Sequence, residues 1–353
     1  MPRIKATDFT GQTFYVGLDV HKKSWNVSVR TMDFEVAHFS QKPDVQALSR
    51  YLTGRYPGGD FVSAYEAGFC GTTLHHALCE AGIKNIVVHP ADIPQTDKQK
   101  KNKSDVHDSR AAARYLEAGV LTAIYIMPAE QQERRALFRL RATRVKDVTR
   151  CNNRLRSLLY FLGIPLPEAF KDKQYLSCKI LDHLRTVPLL TQQGREVLDH
   201  YIEDLLYQRQ QLALITKQLK ASVLSLYKDA YNSVITAPGI GAVLAMALLS
   251  EVGDFSRFTD PDEYCSYLGL APSKRSSAGR IYSEGMQPRC NRYLRPLLIE
   301  AAWQAIRFCP VMLHYYRKHA ARGEKKAIVK VAAKLALVAR ALIINHSVYN
   351  SGG

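Results

Sequence analysis

Acidic residues are scarce in this sequence: 32 Asp and Glu stand against 49 Lys and Arg, which gives the 353 residues a formal net charge of +17. That surplus is larger than solubility requires, and it favours a polyanionic partner, of which nucleic acid is the commonest. A basic soluble enzyme and a membrane-surface protein are the other classes compatible with the charge alone.

Long apolar runs are missing as well. No stretch of 18 apolar residues occurs, so we expect no membrane span and no membrane partner. The apolar stretch Val234–Leu249 is interrupted by Pro238, Gly239 and Gly241, and it favours a buried turn followed by a helix. Because segment 1–20 also lacks a long apolar core, it does not resemble a secretory signal.

The seven cysteines form no Cys-x-x-Cys pair. An odd number of scattered cysteines is typical of reduced, mostly buried thiols in a cytoplasmic protein. The sequence therefore argues against a disulfide framework and against a zinc site.

The first part of the chain, residues 1–125, has the pattern of an α/β domain. Three strands joined by short turns come first, and helices then alternate with strands. We expect strands at 13–20, 25–30, 35–40, 60–65 and 85–88, and helices at 44–51, 72–81 and 104–118. Three antiparallel strands followed by alternating helices and strands match an RNase H-like fold.

Residues 126–230 have the pattern of long helices. From Leu198 to Leu226 the side chains repeat at alternating steps of four and three, with Arg209 and Thr216 at two of the core positions. Such a heptad pattern predicts either a long helical hairpin within the chain or an oligomeric coiled coil. Residues 231–353 are expected to form a third, mostly α domain with a basic loop between Pro272 and Arg295.

Four carboxylates occupy sequence positions that an α/β domain would bring close together. Asp19 and Glu66 each end a predicted strand, and Asp105 and Asp108 lie three residues apart on one predicted helix face. In an RNase H-like fold the two strands are neighbours, and the helix can bring both aspartates to them. The alternative is four separate, solvated carboxylates.

A cluster of four carboxylates needs a cation, because like charges close together raise each other's pKa. Ligation by oxygen alone selects hard ions, so we expect Mg²⁺ or Mn²⁺. Two such ions can hold the attacking and leaving oxygens of a phosphodiester. The sequence therefore predicts a metal-dependent phosphoryl-transfer site.

Several motifs resemble those of the IS110/IS1111 group of insertion-sequence transposases, which includes the pilin-gene invertase. The N-terminal motifs, which resemble the Asp/Glu/Asp/Asp signature of its RuvC-like domain, are Gly17-Leu-Asp-Val-His-Lys22, Tyr65-Glu-Ala-Gly68 and Lys103-Ser-Asp-Val-His-Asp-Ser-Arg110. The motifs that resemble its C-terminal transposase domain are Thr236-Ala-Pro-Gly-Ile-Gly241, Tyr267-Leu-Gly-Leu-Ala-Pro272, Ser276-Ser-Ala-Gly279 and Asn291-Arg-Tyr-Leu-Arg295. Together they run along nearly the whole chain in the group's order.

The resemblance implies a DNA recombinase in which a serine attacks a DNA phosphate and holds the strand as a phosphoserine ester, while the acidic site of another subunit completes the active centre. It implies that the catalytic metal ligands are Asp19, Glu66, Asp105 and Asp108. The nucleophile falls at Ser276 or Ser277, and we expect the first of the pair.

Members of the group use a structured bridge RNA whose loops pair with target and donor DNA, which delegates sequence choice to base pairing. The resemblance therefore implies double-stranded DNA and a guide RNA as partners, in the cytoplasm of a prokaryote close to the nucleoid. Because recombination joins four strands, and because of the heptad pattern, we expect a homo-oligomer: a dimer in solution and a tetramer in the synaptic complex.

Basic residues and two glycines are the candidates for contact with nucleic-acid phosphates. The turn with the glycines resembles a helix-hairpin-helix turn, whose backbone amides can approach a phosphate; a solvated helix face and a tight turn are the plain alternatives. The candidates are Lys98, Lys100, Lys101, Arg134, Arg135, Arg139, Arg144, Arg150, Arg154, Gly239, Gly241, Lys274, Arg275, Arg280, Arg292 and Arg295.

The sequence thus predicts a transposase or site-specific recombinase. A RuvC-like nuclease or junction resolvase, which would hydrolyse DNA with no covalent intermediate, is the main alternative. A nucleic-acid-binding protein with a decayed site is a third, and the presence of all four carboxylates argues against it.

Overall fold

The strand patterns of the N-terminal region form one sheet in a computed structural model of the chain. The structure describes residues 8–93, 105–168, 175–277, 280–286, 289–321 and 323–350; for 105–107, 273–277 and 280–286 it describes the backbone only. The chain divides into two compact units, Met1–Met127 and Pro128–Gly353.

The N-terminal unit is a mixed five-stranded sheet with helices packed on it. Its strands are β1 (Thr13–Val20), β2 (Trp25–Thr31), β3 (Phe34–Gln41), β4 (Asp60–Glu66) and β5 (Lys84–Val88). Its helices are α1 (Val45–Arg55), α2 (Thr73–Glu80) and α3 (Asp105–Glu117). The strand order is β3-β2-β1-β4-β5; β1, β2 and β3 are antiparallel, whereas β4 and β5 run parallel to β1. The predicted α/β character of this region is confirmed.

The core of this unit follows from the alternation in β1. Phe14, Val16 and Leu18 are buried on one side of the sheet, in a cluster that also contains Leu48 from α1 and Leu78 from α2. Removing each such side chain from water stabilises the fold by about 1.5–3 kcal/mol. The opposite side of β1 is left for α3.

The C-terminal unit is mostly helical, as expected. Its helices are α4 (Ala129–Phe161), α5 (Cys178–Thr186), α6 (Gln192–Val234), α7 (Ala242–Glu251), α8 (Pro261–Tyr267), α9 (Leu294–Phe308), α10 (Pro310–Ala320) and α11 (Glu324–Asn345). Two further strands, β6 (Pro272–Ser277) and β7 (Arg280–Met286), pair antiparallel. The expectation of a basic loop between Pro272 and Arg295 is therefore wrong for most of its length.

The heptad pattern of α6 is buried against the chain itself. Leu198, Ile202 and Leu205 share a cluster with Leu155 of α4. Further along, Leu219 and Val223 belong to a second cluster that contains Phe138 of α4. Of the two alternatives, the structure thus has the helical hairpin.

The two polar positions of the heptad pattern have partners within the same hairpin. The guanidinium of Arg209 donates to the carbonyl of Leu176, and Arg141 Nε donates to Thr216 Oγ1 at 3.0 Å. Because the pattern is used inside the chain, it does not by itself provide an interface between copies.

In the described ranges, no single helix has both the length and the apolar character needed to cross a bilayer. Helices α9 and α10 pass such a test only as a pair, and they are bent by 109° at the break between them.

Candidate active site

Asp19 and Glu66 lie at one edge of the sheet. Strands β1 and β4 are parallel neighbours, and their register pairs Gly17 with Ala64 and Leu18 with Tyr65. One step further along the same register, Asp19 stands opposite Glu66. Because facing positions of paired strands project to the same side of a sheet, both carboxylates belong to the face opposite the Leu18 core.

Helix α3 packs on that face, and the absence of a side chain at Gly17 allows this close packing. A Cβ at Gly17 would lie 2.0 Å from the carbonyl oxygen of Ser109 and 2.4 Å from the backbone nitrogen of Ala113. Only a residue without a side chain permits so close an approach of helix and strand. Gly17 and Asp19 are two residues apart on one strand and therefore share this face.

The direction of α3 brings its first turn to the carboxylate edge. At the other end of the helix, Glu117 Oε2 accepts a hydrogen bond of 2.7 Å from Arg30 Nε, and Arg30 faces Tyr15 near the start of β1. The helix therefore runs antiparallel to β1, with Asp105 and Asp108 towards the strand ends. The backbone thus places the four predicted positions, Asp19, Glu66, Asp105 and Asp108, towards one edge of the sheet.

The donor set fits a hard divalent cation, since it consists of carboxylate oxygens at one sheet edge. Among the described side chains, no group of three or more His, Cys, Asp or Glu is close enough to hold a metal ion; the side chain of Asp105 lies outside that description. Asp19 Oδ2 is 3.0 Å from Nε2 of His21, whose side chain is about half exposed at 48%. Metal binding by Asp19 would therefore require this contact to be shared or released.

The predicted serines lie at the end of a strand. Ser276 pairs with Ile281 and Ser277 with Arg280, so the two serines end β6. The expected loop position is thus wrong, because a polar strand without apolar alternation gives no strand signal in the sequence. The side chains of this hairpin, including those of Lys274, Arg275 and Arg280, lie outside the described part, as do residues Lys98, Lys100 and Lys101.

A buried carboxylate at the end of α7 is not predicted from the sequence. Glu251 ends α7, and its side chain is completely buried. Arg135 Nε donates to its Oε2 at 2.8 Å, Arg139 Nε to its Oε1 at 2.7 Å, and Asn291 Nδ2 to its Oε2 at 2.8 Å. Burial alone raises the pKa of Glu251, but the hydrogen bond from Arg139 and the charges of both arginines outweigh it and hold the pKa below its usual value.

The same network holds together the two ends of the hairpin segment. The backbone nitrogen of Asn291 donates to the carbonyl of Tyr267 at 2.8 Å, and the Tyr267 hydroxyl donates to the carbonyl of Glu251 at 2.9 Å. Gly269 has a φ of +72°, and a Cβ there would lie 2.5 Å from Cβ of Cys290. The chain therefore enters and leaves β6–β7 at one fixed place. The sequence feature that could have indicated this carboxylate is a single acidic residue at the end of the otherwise apolar segment Ala242–Glu251.

The candidate arginines of α4 differ in their partners and in their exposure. Arg135 and Arg139 are engaged by Glu251 and so have a structural partner. Arg144 and Arg150 both pair with Asp147, at 3.3 and 3.0 Å, while Arg154 is exposed. The remaining member, Arg134, donates to an amide oxygen of the same helix at 3.1 Å. Arg150 and Arg154, towards the C-terminal end of α4, are therefore the exposed members of this set, whereas the other candidates on the helix are partly buried.

The two glycines of the predicted phosphate-binding turn differ. Gly239 has a φ of +81°, and a Cβ there would lie 2.2 Å from the carbonyl oxygen of Ala301. Because glycine has no Cβ, the turn can pack on α9. Gly241 caps α7 and has no atom within 4 Å of a built Cβ. After the hairpin, Arg292 is exposed and Arg295 packs beside Gly269.

Comparison with known proteins gives two family matches. Residues 16–163 match the IS110 DEDD transposase family, and residues 231–317 match the transposase IS116/IS110/IS902 family. Together these matches cover about two thirds of the chain, one in each half.

Relatives of similar length carry the same description. The chain is 28% identical to a transposase for insertion sequence element IS1111A from Coxiella burnetii, over 80% of this chain and 78% of that protein. It is 26% identical to the putative transposase y4rJ from Sinorhizobium fredii, over 88% of this chain and 83% of the relative. A transposase for element IS1533 from Leptospira borgpetersenii is 26% identical, over 82% and 84% of the two chains. On these matches, in the order that the motifs predict, the chain belongs to the IS110 family of insertion-sequence transposases.

Proposed function

We propose that this transposase is a DNA recombinase that cuts and rejoins DNA through a serine–phosphodiester intermediate, assisted by a carboxylate-bound Mg²⁺ or Mn²⁺ site. The observation that supports it most is the edge of the sheet at which Asp19, Glu66 and the first turn of α3 meet. An acidic edge in a chain with a net charge of +17 is where a polyanion and a hard cation would meet.

The strand arrangement supports an RNase H-like, RuvC-like fold for this unit. The order β3-β2-β1-β4-β5, with three antiparallel strands and two parallel ones, is what we expect of that fold. In this arrangement β1 is central and β4 is its neighbour, so Asp19 and Glu66 are adjacent through topology alone.

The metal ligands in this proposal are Asp19, Glu66, Asp105 and Asp108. A divalent cation bound there would supply charge stabilisation to the phosphate oxygens during attack and departure. These carboxylates would hold the cation in place, and Asp19 would share or release its contact with His21 to do so.

The serine performs the covalent step. Its Oγ attacks the phosphorus, a serine–phosphate bond forms, and one phosphate–sugar oxygen bond breaks, with the serine proton passing to the departing DNA hydroxyl. A hydroxyl from the partner strand then reverses these changes and releases the serine. Because the serine ester conserves the energy of the phosphodiester bond, whereas hydrolysis would lose it, the strands can be rejoined without an external energy source. Basic residues of the same hairpin, Lys274, Arg275 and Arg280, would neutralise the phosphate.

The chain would carry out these steps in three parts, 1–125, 126–230 and 231–353. Two buried clusters support this division, one within the sheet unit and one within the α4–α5–α6 region, whereas a third joins Phe138, Leu219 and Val223 of the middle part to the C-terminal helices. Double-stranded DNA of the element ends and target, a structured guide RNA and further copies of the chain are the proposed partners. Since the named relatives come from bacteria, we place this activity at the nucleoid of a prokaryotic cell.

The test is covalent capture. A labelled, nicked element end is incubated with the full chain, Mg²⁺ and co-purified RNA, and the products are separated under denaturing conditions. We expect a protein–DNA adduct that requires Mg²⁺ and is absent in the Ser276→Ala, Ser277→Ala double variant. Cleavage without any adduct would instead support the nuclease or junction-resolvase alternative, which needs only the carboxylate edge.

A further inference from the structure

A basic cavity of about 910 Å³ lies between α4 and α6, in the part of the chain to which no catalytic group is assigned. Its cations are Arg141 from α4 and Arg209, Lys217 and Lys220 from α6. Among the described residues that line it there is no Asp or Glu. Its volume is at the upper end of the roughly 300–1,000 Å³ that is typical of ligand sites.

The two arginines of this cavity carry charge without a carboxylate among their described contacts. Arg141 donates to the Thr216 hydroxyl, and burial lowers the pKa of its guanidinium. Arg209 donates to the Leu176 carbonyl, and within the described part of the chain its buried Nε has no hydrogen-bond partner. With Lys217 and Lys220 on the same wall, four like charges repel one another, and a bound anion would relieve that repulsion.

An aromatic ring and side-chain amides complete the lining. Tyr175 is 55% exposed at the cavity, and the guanidinium of Arg209 lies 4.1 Å from the centre of its ring. Asn152 uses its Oδ1 to accept from the backbone nitrogen of Leu176, whereas Asn153 is exposed. An exposed ring beside several cations is the composition of single-strand nucleic-acid sites, where the ring stacks on a base and the cations hold phosphates.

We propose that this cavity binds a single-stranded stretch of nucleic acid, with its phosphates on Lys217 and Lys220 and a base stacked on Tyr175. The proposal rests on the proposed function, since it names a binding site for one of its nucleic acids. A duplex cannot unstack to place a base in the cavity without losing pairing, so it would meet only the exposed lysines. The cavity thus discriminates single strands from duplexes.

The first test removes charge. Labelled oligonucleotides of mixed sequence, as single-stranded RNA, single-stranded DNA and duplex DNA, are titrated with the full chain by fluorescence anisotropy over a range of salt. For the strand that occupies the cavity, we expect Lys217→Ala, Lys220→Ala to weaken binding by about tenfold or more. The slope of log K against log salt should fall by roughly 0.7 for each phosphate that the variant no longer neutralises.

The matched control removes the same charge elsewhere. Lys179 on α5 and Lys325 on α11 are exposed and do not line the cavity, so Lys179→Ala, Lys325→Ala should have a much smaller effect. Thermal melts of both double variants establish that each is folded. Equal effects of the two double variants on every oligonucleotide would overturn the proposal, as would a larger loss for the duplex than for both single strands.

The second test removes the ring. We expect Tyr175→Ala to weaken single-strand binding by about tenfold with an unchanged salt slope, and Tyr175→Phe to bind like the original chain. The single strand whose binding weakens more, RNA or DNA, identifies the occupant. Adduct formation by the serine is assayed on the same preparations. If the adduct forms but the cavity variants bind single strands normally, the cavity proposal alone is overturned. If no adduct forms, the recombinase mechanism is overturned and the binding result is unaffected.

Discussion

Arg139 holds the carboxylate of Glu251 with both ends of its guanidinium, Nε to Oε1 at 2.7 Å and Nη2 to Oε2 at 3.0 Å. The pair joins α4 to the end of α7, and Asn291 extends it to the segment that follows the β6–β7 hairpin. A planar guanidinium on a carboxylate is directional as well as strong. The pair therefore fixes the place at which the segment after the β6–β7 hairpin meets the helices of this unit. The sequence predicts a phosphate contact for Arg139, whereas in the structure this side chain has a structural partner.

Replacing the carboxylate should cost stability. In Glu251→Gln two guanidinium groups stay in place without their buried counter-charge; because water reaches both arginines, the cost is about 1–3 kcal/mol, below that of breaking a fully buried pair. We expect a loss of that size in the free energy of unfolding, measured by urea denaturation at neutral pH. Glu300→Gln, at an exposed position on α9, is the control and should change it by less than about 0.5 kcal/mol. An equal effect of the two variants would contradict the structural role of Glu251.

The same pair predicts how stability depends on pH. The folded-state pKa of Glu251 lies below its ordinary value of 4.5. A depressed pKa contributes stability that is fully present above the unfolded value and is lost as the pH falls through the folded value. The original chain should therefore lose stability more steeply than Glu251→Gln when the pH is lowered from 4.5. Parallel curves for the two proteins in that range would refute this assignment.

The contact of α3 with β1 can be tested by adding a single methyl group. In Gly17→Ala the new Cβ would meet the Ser109 carbonyl at 2.0 Å, so α3 must move away from Asp19. We expect a loss of several kcal/mol in stability, or a folded protein without adduct formation, because overpacking displaces the backbone. Gly54→Ala in α1 is the matched control: nothing lies within 4 Å of its Cβ, and alanine favours a helix by about 1 kcal/mol. If both variants behave like the original chain in chemical denaturation and in the adduct assay, the close packing of α3 on Gly17 is contradicted.

How much of this architecture is readable from the sequence depends on the kind of element. The strands around Asp19 and Glu66 are predictable because a half-buried sheet needs apolar side chains at every second position. The helical hairpin is predictable from its heptads, but whether Leu198 packs on the same chain or on another copy is not, because both choices bury the same side chains.

Other features have no local signal. Strand β6 contains Lys274 to Ser277 in a row, and its pairing with β7 comes from the hairpin rather than from apolar alternation. Likewise Arg135 and Arg139 look like any exposed cations in the sequence, since their partner Glu251 lies more than a hundred residues away. Pairings set by tertiary structure are invisible to a local pattern.

The carboxylate edge predicts a clean separation of binding from chemistry. We expect Asp19→Asn and Asp108→Asn to abolish strand transfer while nucleic-acid binding stays within about threefold, since a divalent site stabilises the reacting phosphate rather than the bound strand. Excess chelator should reproduce this on the original chain. The control Asp182→Asn changes an exposed aspartate of α5 and should leave strand transfer intact. Strand transfer by Asp19→Asn, or full activity in chelator, would remove the metal site from the mechanism.

The serine prediction gains precision from the hairpin. Ser276 and Ser277 are consecutive positions at the end of β6, opposite Ile281 and Arg280. Successive positions of a strand alternate between its two faces, so a reaction at one face can use only one of the two positions.

We therefore expect one single variant to lose the phosphoserine adduct and recombination completely, while the other keeps both. We assign the loss to Ser276→Ala and the retained activity to Ser277→Ala. Both variants should still bind nucleic acid, because neither changes a charge, and denaturing gels of the trapped substrate provide the measurement. The reverse pattern would shift the nucleophile by one residue and preserve the mechanism. Recombination by both single variants and by the double variant, without any adduct, would exclude Ser276 and Ser277 as nucleophiles and would leave phosphoryl transfer to the carboxylate edge alone.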